Sequence, residues 1–491
     1  MKVAPKNLYS AKQVRELDRI AIEEYGISGY SLMKRAGQAV FDFISREYAS
    51  YSKIYVFTGL GNNGGDGYVV AKLAILGGLD VEVVQIKSKN NLSEDSLQAQ
   101  EDFKKIQGKI NTLDEIYQVE NSLIVDALLG TGITRSVEGE FKQAIEKLNS
   151  STAPVISIDV PSGINSDTGY TMGCAVKADA TITFVGMKKG LLTSHAVDCC
   201  GKLIFDSLNL SSEIYETHMN HNCESIDLSQ YKSFLGERAS DSHKKSYGHL
   251  VAIGGATGMQ GAILLSGMAA LRTGAGLVTI ASMDETQLIE QLNYPELMVN
   301  SITDIKNLEN ILKKADVIAI GPGLGLTATA ANILSFVLDT NLPLIIDADA
   351  LKLLAKDSCM RKNWILTPHP GEASQLLGIK PSDIQKDRFE SAKKIQKLYG
   401  GICVLKGSGT IVAAEQKLFI CNQGNPGMAT AGMGDVLTGI ISALVCQGLP
   451  LEEAAKMGVC LHAEAGDLAS KDGERGMIAS DLFQCLRKLV N

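Results

Sequence analysis

The chain has 491 residues, 45% of them hydrophobic, with 48 glycines and a formal net charge of −8. This length exceeds one ordinary core and predicts two or three domains, and the composition excludes a disordered or fibrous chain. An acidic balance without any basic block speaks against nucleic acid and anionic membranes, so small molecules are the expected ligands.

Ten cysteines are scattered without a CxxC pair, and only Cys199-Cys200 adjoin, which predicts reduced thiols in a cytoplasmic protein. Met1-Lys2-Val3-Ala4-Pro5 carries no apolar signal core and no later run reaches membrane-spanning length, so no membrane association is expected.

In chain order, residues 10–48 predict two amphipathic helices around Gly26-Ile27-Ser28-Gly29, with Val14, Leu17, Ile20 and Ala21 at helical spacing. Residues 54–57 predict a buried strand that enters a glycine loop at 58–67, and a helix follows at 68–76. Strand, glycine loop and helix form the phosphate-binding layout of a doubly wound sheet, although the glycines miss dinucleotide spacing. Further strands at 81–86, 123–126, 155–159 and 181–185 alternate with helices and argue a parallel sheet with helices on both faces. Asn63, Asp126 and Ser162 then fall at one carboxyl edge, where they can converge as oxygen donors for a hard cation. Alternatively, Asp126 or Asp159 caps a helix and Ser162 holds a turn.

Four stretches make residues 10–215 resemble the NAD(P)H-hydrate epimerases: Gly61-Asn62-Asn63-Gly64-Gly65-Asp66-Gly67, Asp126-Ala127-Leu128-Leu129-Gly130-Thr131-Gly132, Asp159-Val160-Pro161-Ser162-Gly163 and Lys188-Lys189-Gly190-Leu191. The resemblance implies a Rossmann-like α/β domain in which Asn63, Asp126 and Ser162 hold potassium. It also implies that Asn62, Asn63, Gly64, Gly65 and Asp66 wrap a hydrated nicotinamide cofactor together with Gly130, Thr131, Gly132, Ile133, Thr134, Arg135 and Ser136. Asp159 is the implied acid/base, and Lys188 matches a family lysine at the substrate. Lys189 stands where that family usually has proline.

Residues 216–247 are polar and aperiodic and read as a linker with an entry loop, placing domains at 1–220 and 221–491. His218 and His221 lie three apart without an acidic or cysteine partner at ligand spacing, so a solvated linker is expected rather than a metal grip.

Beyond the junction, strands are predicted at 249–253, 276–281, 316–320, 342–347, 364–367 and 402–406, with a helix at 263–272. Lys406-Gly407-Ser408-Gly409-Thr410 looks like half a P-loop whose lysine precedes the glycines, which excludes a Walker NTPase. Gly424-Asn425-Pro426-Gly427-Met428-Ala429-Thr430-Ala431-Gly432-Met433-Gly434-Asp435 then enters an apolar helix expected to begin at or just after Asp435. A glycine turn opening a helix is an anion site, and a carboxylate there is useful if it takes a proton from whatever attacks a phosphate. The alternative is a glycine turn with Asp435 as a helix cap.

Residues 235–491 resemble the ribokinase-like group and, within it, the ADP- or ATP-dependent NAD(P)H-hydrate dehydratases, with Ala431-Gly432-Met433-Gly434-Asp435 as anion hole and base. The resemblance implies that Ala262, Gly323, His369 and Asp435 contact the hydrate. It lays Lys406, Gly407, Ser408, Gly409, Thr410 and Gly434 along the adenine nucleotide. Met433 stands where threonine is common. From the residues alone, Asp435 near a helix N-terminus is expected to have a low pKa and to accept its proton late in phosphoryl transfer. His369, between Pro368 and Pro370, suits a hydrogen bond to substrate, or else is a strand-end histidine satisfied by backbone. Glu372 can reach Mg²⁺ through water, and His462 is expected to pack in the core.

Together the halves resemble bifunctional repair enzymes. That implies interconversion of the R and S hydrates of NADH or NADPH, then dehydration of the S form with ADP, or ATP, as phosphoryl donor, and a homo-oligomer. Two rival readings are a vitamin-precursor kinase that releases a stable phosphoester and, for the first half, a non-catalytic binding module.

Overall fold

The computed structural model describes residues 5–86, 92–115, 119, 121–218, 221–234, 236–283 and 294–491, and the chain divides into two compact units, Met1–Cys223 and Glu224–Asn491. In the first unit, Ser10 caps the helix Ala11–Glu23 in a reciprocal box with Gln13, and Ser28 caps Gly29–Glu47. Their apolar stripes bury Leu17, Ile20, Ala21, Val40 and Phe43 in the sheet-facing core.

Seven strands form the first sheet: β1 (Lys53–Thr58), β2 (Asp80–Gln85), β3 (Lys109–Asn111), β4 (Leu123–Ala127), β5 (Val155–Ile158), β6 (Ala180–Phe184) and β7 (Lys202–Asp206). The order is β3-β2-β1-β4-β5-β6-β7 and every pairing is parallel. The chain winds one way from β1 through β3 and then crosses to β4 on the other side. The crevice at the carboxyl ends of β1 and β4 is therefore the switch point at which open α/β sheets bind ligands. The sequence reading missed β3 and β7, whose short runs are only partly buried.

One expected loop is helix. The helix Asn62–Leu76 begins inside the glycine run, and the turn proper is Gly59-Leu60-Gly61. Gly64 and Gly65 are there for close packing rather than unusual dihedrals: a Cβ at Gly64 would lie 2.2 Å from the Gly59 carbonyl oxygen, and one at Gly65 2.5 Å from Met33.

After β8 (Cys223–Ser225), the second sheet continues with β9 (His249–Ile253), β10 (Leu277–Ser282), β11 (Met298–Ser301), β12 (Val317–Ile320), β13 (Leu344–Ile346), β14 (Trp364–Leu366), β15 (Ile402–Leu405), β16 (Thr410–Ala413) and β17 (Leu418–Cys421). The order is β11-β10-β9-β12-β13-β14-β15-β16-β17-β8. Pairings from β11 to β15 are parallel, and β15-β16-β17 turn antiparallel. The β16–β17 hairpin and β11 are additions to the expected set.

The helix Met433–Cys446 starts two residues before Asp435, because Gly432 at φ 89° provides the left-handed turn that admits it. It crosses the helix Gln260–Thr273 so closely that a Cβ on Gly439 would sit 2.1 Å from the Ser266 carbonyl oxygen. All ten cysteines are free thiols, and no helix among the described residues is long and apolar enough to cross a membrane. Gly439→Val should force these helices apart and cost about 1–3 kcal/mol or more, read as a lowered second-unit Tm in a thermal melt.

Candidate active sites

The first unit holds a cleft of about 1040 Å³ at the switch point. Asn62, Asn63 and Asp66 reach it from the first turns of their helix, and residues 130–136 form one wall. Asp159 and Lys188 enter from the ends of β5 and β6. Of the residues expected around a substrate here, only Gly64 and Gly65 do not line the cleft; they carry the helix that presents Asn63 and Asp66.

Asp159 sits at φ 64° and Val185, also in the cleft wall, at φ 63°, a region that side-chain-bearing residues rarely adopt. Asp159 Oδ1 accepts from the Lys188 ammonium, from Thr183 Oγ1 at 3.1 Å and from the Phe184 N–H at 3.2 Å. Lys188 is 1% exposed and also donates to the Phe184 carbonyl at 2.8 Å and to Thr183 Oγ1 at 3.0 Å. Its three donors are thus fully used, and it fixes the Asp159 carboxylate rather than standing free for substrate. Two further carboxyls share the cleft. Burial, then Asp159 and Asp18, push Asp66 well above the ordinary carboxylate range, against the pull of Lys188. Burial pushes Asp18 up to about 6, Lys188 drawing it down and Asp159 driving it up.

Asp126, near the end of β4, is fully buried and takes hydrogen bonds from Ser162 Oγ (2.6 Å), the Ser162 N–H (2.9 Å), Ser157 Oγ (2.8 Å) and the Leu128 N–H (3.2 Å). Ser162 Oγ in turn accepts from the Leu129 N–H at 2.8 Å. Asn63 packs beside Gly130, and both ends of its carboxamide are buried without a hydrogen-bond partner. Dipolar donors alone meet the Asp126 charge, and desolvation raises its pKa. A buried carboxylate without a counter-charge, together with a buried amide that has no partner, fits a site for a cation.

In the second unit a buried acid-base cluster lies across the carboxyl ends of β13, β14 and β15. Lys406 Nζ reaches Asp347 Oδ1 at 2.7 Å and Glu372 Oε2 at 3.8 Å, and Thr438 Oγ1 donates to Asp347 Oδ2 at 2.7 Å. Gly434 lies directly against this group, where a Cβ would come 3.1 Å from Lys406 Nζ. Ser266 Oγ donates to the Asp435 carbonyl (2.8 Å) and the Ala262 carbonyl (3.3 Å), which places Ala262 and Asp435 close together. Gly323, at φ 61°, packs on the Met259 backbone in the turn just before the Ala262 helix. Burial lowers the Lys406 pKa, but Asp347, Glu372 and Asp435 outweigh it and hold the ammonium above its ordinary value.

One expectation is corrected here. Asp435 does not have a low pKa: burial and Asp347 push it up to about 7, with Glu372 and Asp349 adding to the rise against Lys406. The helix N-terminus favours the anion, but a half-buried carboxyl among three others loses more to desolvation and repulsion than it gains there. His369 is committed at one nitrogen, because Nδ1 caps the helix Pro370–Leu377 by accepting from the Gly371 N–H (2.9 Å) and the Glu372 N–H (3.4 Å). Only the Nε2 side of this half-exposed ring remains for a ligand, 3.4 Å from Glu372 Oε1. His462 is part-buried; burial lowers its pKa to about 4, and its Nε2 has no partner. His221 packs edge-on against Tyr9, while the side chain of His218 lies outside the described residues.

Sequence reasoning missed Asp18, Asp347, Thr438 and Arg388. Arg388 is buried and donates to the carbonyls of Leu405, Lys406 and Gly409, each at 3.3 Å, which shapes the 406–410 loop from beneath. Asp347 closes a predicted strand in an Asp-Ala-Asp run, a signal that was present; Asp18 and Arg388 lie on helices without a motif.

A family model described as NAD(P)H-hydrate dehydratase matches residues 250–488, and one described as YjeF-related protein N-terminus matches residues 29–190. The chain is 44% identical over 486 residues to the bifunctional NAD(P)H-hydrate repair enzyme Nnr of Coxiella burnetii, covering 99% of each chain. It is 43% identical over 491 residues to the Escherichia coli protein of the same name, covering 99% of this chain and 94% of that one. Among solved structures, a ribokinase-like superfamily protein of Enterococcus faecalis V583 is 31% identical with a TM-score of 0.52, covering 56% of this chain and 98% of its own. Similarity of this extent over both units means that the chain belongs to the bifunctional NAD(P)H-hydrate repair enzyme family.

Proposed function

We propose that this chain restores hydrated NADH and NADPH: the first unit interconverts the R and S hydrates, and the second dehydrates the S form using ADP, with AMP and phosphate as products. The observation that carries this reading is that both units present their family-matching residues at the carboxyl edges of their sheets, inside a chain similar to repair enzymes from end to end.

In the first unit, residues 130–136 and Asn62, Asn63 and Asp66 embrace the hydrated ring and its nucleotide, and Asp159 acts as acid/base with its carboxylate aimed by Lys188 and Thr183. Asn63, Asp126 and Ser162 would hold potassium, which would supply positive charge for an anionic substrate. These residues set the loop that follows β4 whether or not the ion is present, through the Ser162–Leu129 hydrogen bond.

In the second unit, the N–H groups at the start of the helix Met433–Cys446 cradle the migrating phosphoryl group, and Asp435 takes the proton of the hydrate's hydroxyl as oxygen bonds to phosphorus. Phosphate then leaves where hydroxide would not, the ring-nitrogen lone pair filling the vacated position, and loss of a proton from the adjacent ring carbon to water returns the ring double bond. Lys406 neutralises charge on the nucleotide from its anchor on Asp347, and Lys406–Thr410 with Gly434 flank that ligand. Ala262, Gly323 and the free face of His369 meet the hydrate. Glu372 would help hold magnesium through water, and the ion would supply positive charge to the nucleotide's phosphates.

An Asp159→Ala chain should lose recovery of the dihydropyridine absorbance from the R hydrate by at least ~100-fold while repairing the S hydrate normally; undiminished use of the R form removes the assignment. Asp435→Asn should abolish repair of both hydrates. With Asp435 at about 7, wild-type turnover of the S hydrate should climb as pH rises through that value, because the base works only once ionised, and then level off. A phosphorylated hydrate that accumulates instead of NADH would mark the second unit as a simple kinase. Potassium should raise the first-unit Tm above that measured in a salt of a bulky organic cation at equal ionic strength, and Asp126→Asn should erase the difference.

A further inference from the structure

Three carboxyls, Asp18, Asp66 and Asp159, open on the first-unit cleft with one lysine, Lys188. Asp18 comes from the helix Ala11–Glu23, Asp66 from the switch-point helix, and Asp159 from the end of β5, so the acids approach from separate elements. The Asp18 helix is fixed at its start, where Ser10 and Gln13 close the cap and the Ala11 N–H donates to Asp167 Oδ1 at 2.6 Å. Around Asp18 the charged and titratable groups are Arg15 on its own helix, Asp66, Asp159, Lys188 and Tyr215, whose hydroxyl donates to the Val185 carbonyl.

Inverting a ring carbon that carries both a hydroxyl and the ring nitrogen requires two proton-transfer groups. One gives a proton to the departing hydroxyl, which leaves as water, while the nitrogen lone pair fills the vacated position as a carbon–nitrogen double bond. The other takes a proton from the water that adds to the opposite face, and the electron pair returns to nitrogen. Lys188 occupies Asp159 as a carboxylate, which suits the second task and leaves the first unassigned.

We propose that Asp18 is the second catalytic group of the epimerase site, the acid that protonates the departing hydroxyl while Asp159 receives the proton of the entering water. The two exchange roles in the reverse direction. This rests on the epimerase reading of the first unit. Asp18, pushed up to about 6, can both hold and release a proton near neutrality, and it stands on a separate helix from Asp66, which burial and the neighbouring Asp159 and Asp18 raise above the ordinary range.

The test follows chromophore recovery from purified R and S hydrates with the full chain, ADP and magnesium, between about pH 5 and pH 8. Wild-type kcat/KM from the R hydrate, with the second unit in excess capacity, should decline above about 6 as Asp18 ionises. Asp18→Asn should lower kcat from the R hydrate at least ~100-fold with little change in KM, remove that decline, and leave repair of the S hydrate intact. Asp18→Glu should recover part of the rate and the pH dependence. R-hydrate turnover within about twofold of wild type in Asp18→Asn, or an equal loss in Asp18→Glu, overturns the assignment. A wild-type chain that repairs S but never R overturns the epimerase reading itself, and the two failures are thus told apart.

Discussion

Each unit keeps a lysine ammonium out of bulk water and holds it on an aspartate at the carboxyl edge of a parallel sheet. In the first the pair is Lys188 on Asp159, and in the second Lys406 on Asp347. Removing one partner of such a pair leaves an uncompensated buried charge, at a cost of about 3–5 kcal/mol. The surrounding donors are therefore arranged to keep both partners satisfied: Thr183 and the Phe184 backbone in one case, Thr438 in the other. Each pair also sets the charge state of the acids around it. Burial first, and then repulsion from neighbouring acids that the lysine only partly offsets, raises the remaining carboxyls Asp18, Asp66, Asp435 and Glu372.

That shared electrostatic design serves different chemistry. In the first unit it ion-pairs one aspartate with the lysine and leaves two others raised by burial, which is the division of labour that proton shuttling at a single carbon needs. In the second it holds a base close to neutrality beside the helix N-terminus, so Asp435 can accept a proton without the late timing that a strongly acidic carboxyl would demand.

Much of this was legible in the sequence because chemistry-bearing residues sit where strands end. The runs before Gly59, Asp126, Asp159, Gly321, Thr367 and Lys406 announced both sheets and their ligand edges. What escaped had physical reasons. Short edge strands such as β3 and β11 carry little apolar signal. The glycines at 64 and 65 looked like loop residues, although their purpose is to let a helix lie against a turn and a neighbouring methionine. The charge state of Asp435 depends on Asp347, Glu372 and Asp349, none of them near it in sequence, so local helix-dipole reasoning had the sign wrong. Asp18 sits on an ordinary amphipathic surface helix, where an acidic residue reads as solvated until the opposing wall is known.

The winding of the first sheet has a consequence for biosynthesis. Because β1 and β4 flank the crevice while β5 and β6 deliver Asp159 and Lys188, the cleft draws on positions from 14 to 208. A polypeptide still emerging from the ribosome cannot complete this cleft until β6 and the lysine beyond it have cleared the exit tunnel. Parallel pairings between distant segments also condense slowly. Nascent fragments of this unit should accordingly be inert, and catalytic competence should appear late and all at once rather than growing with chain length.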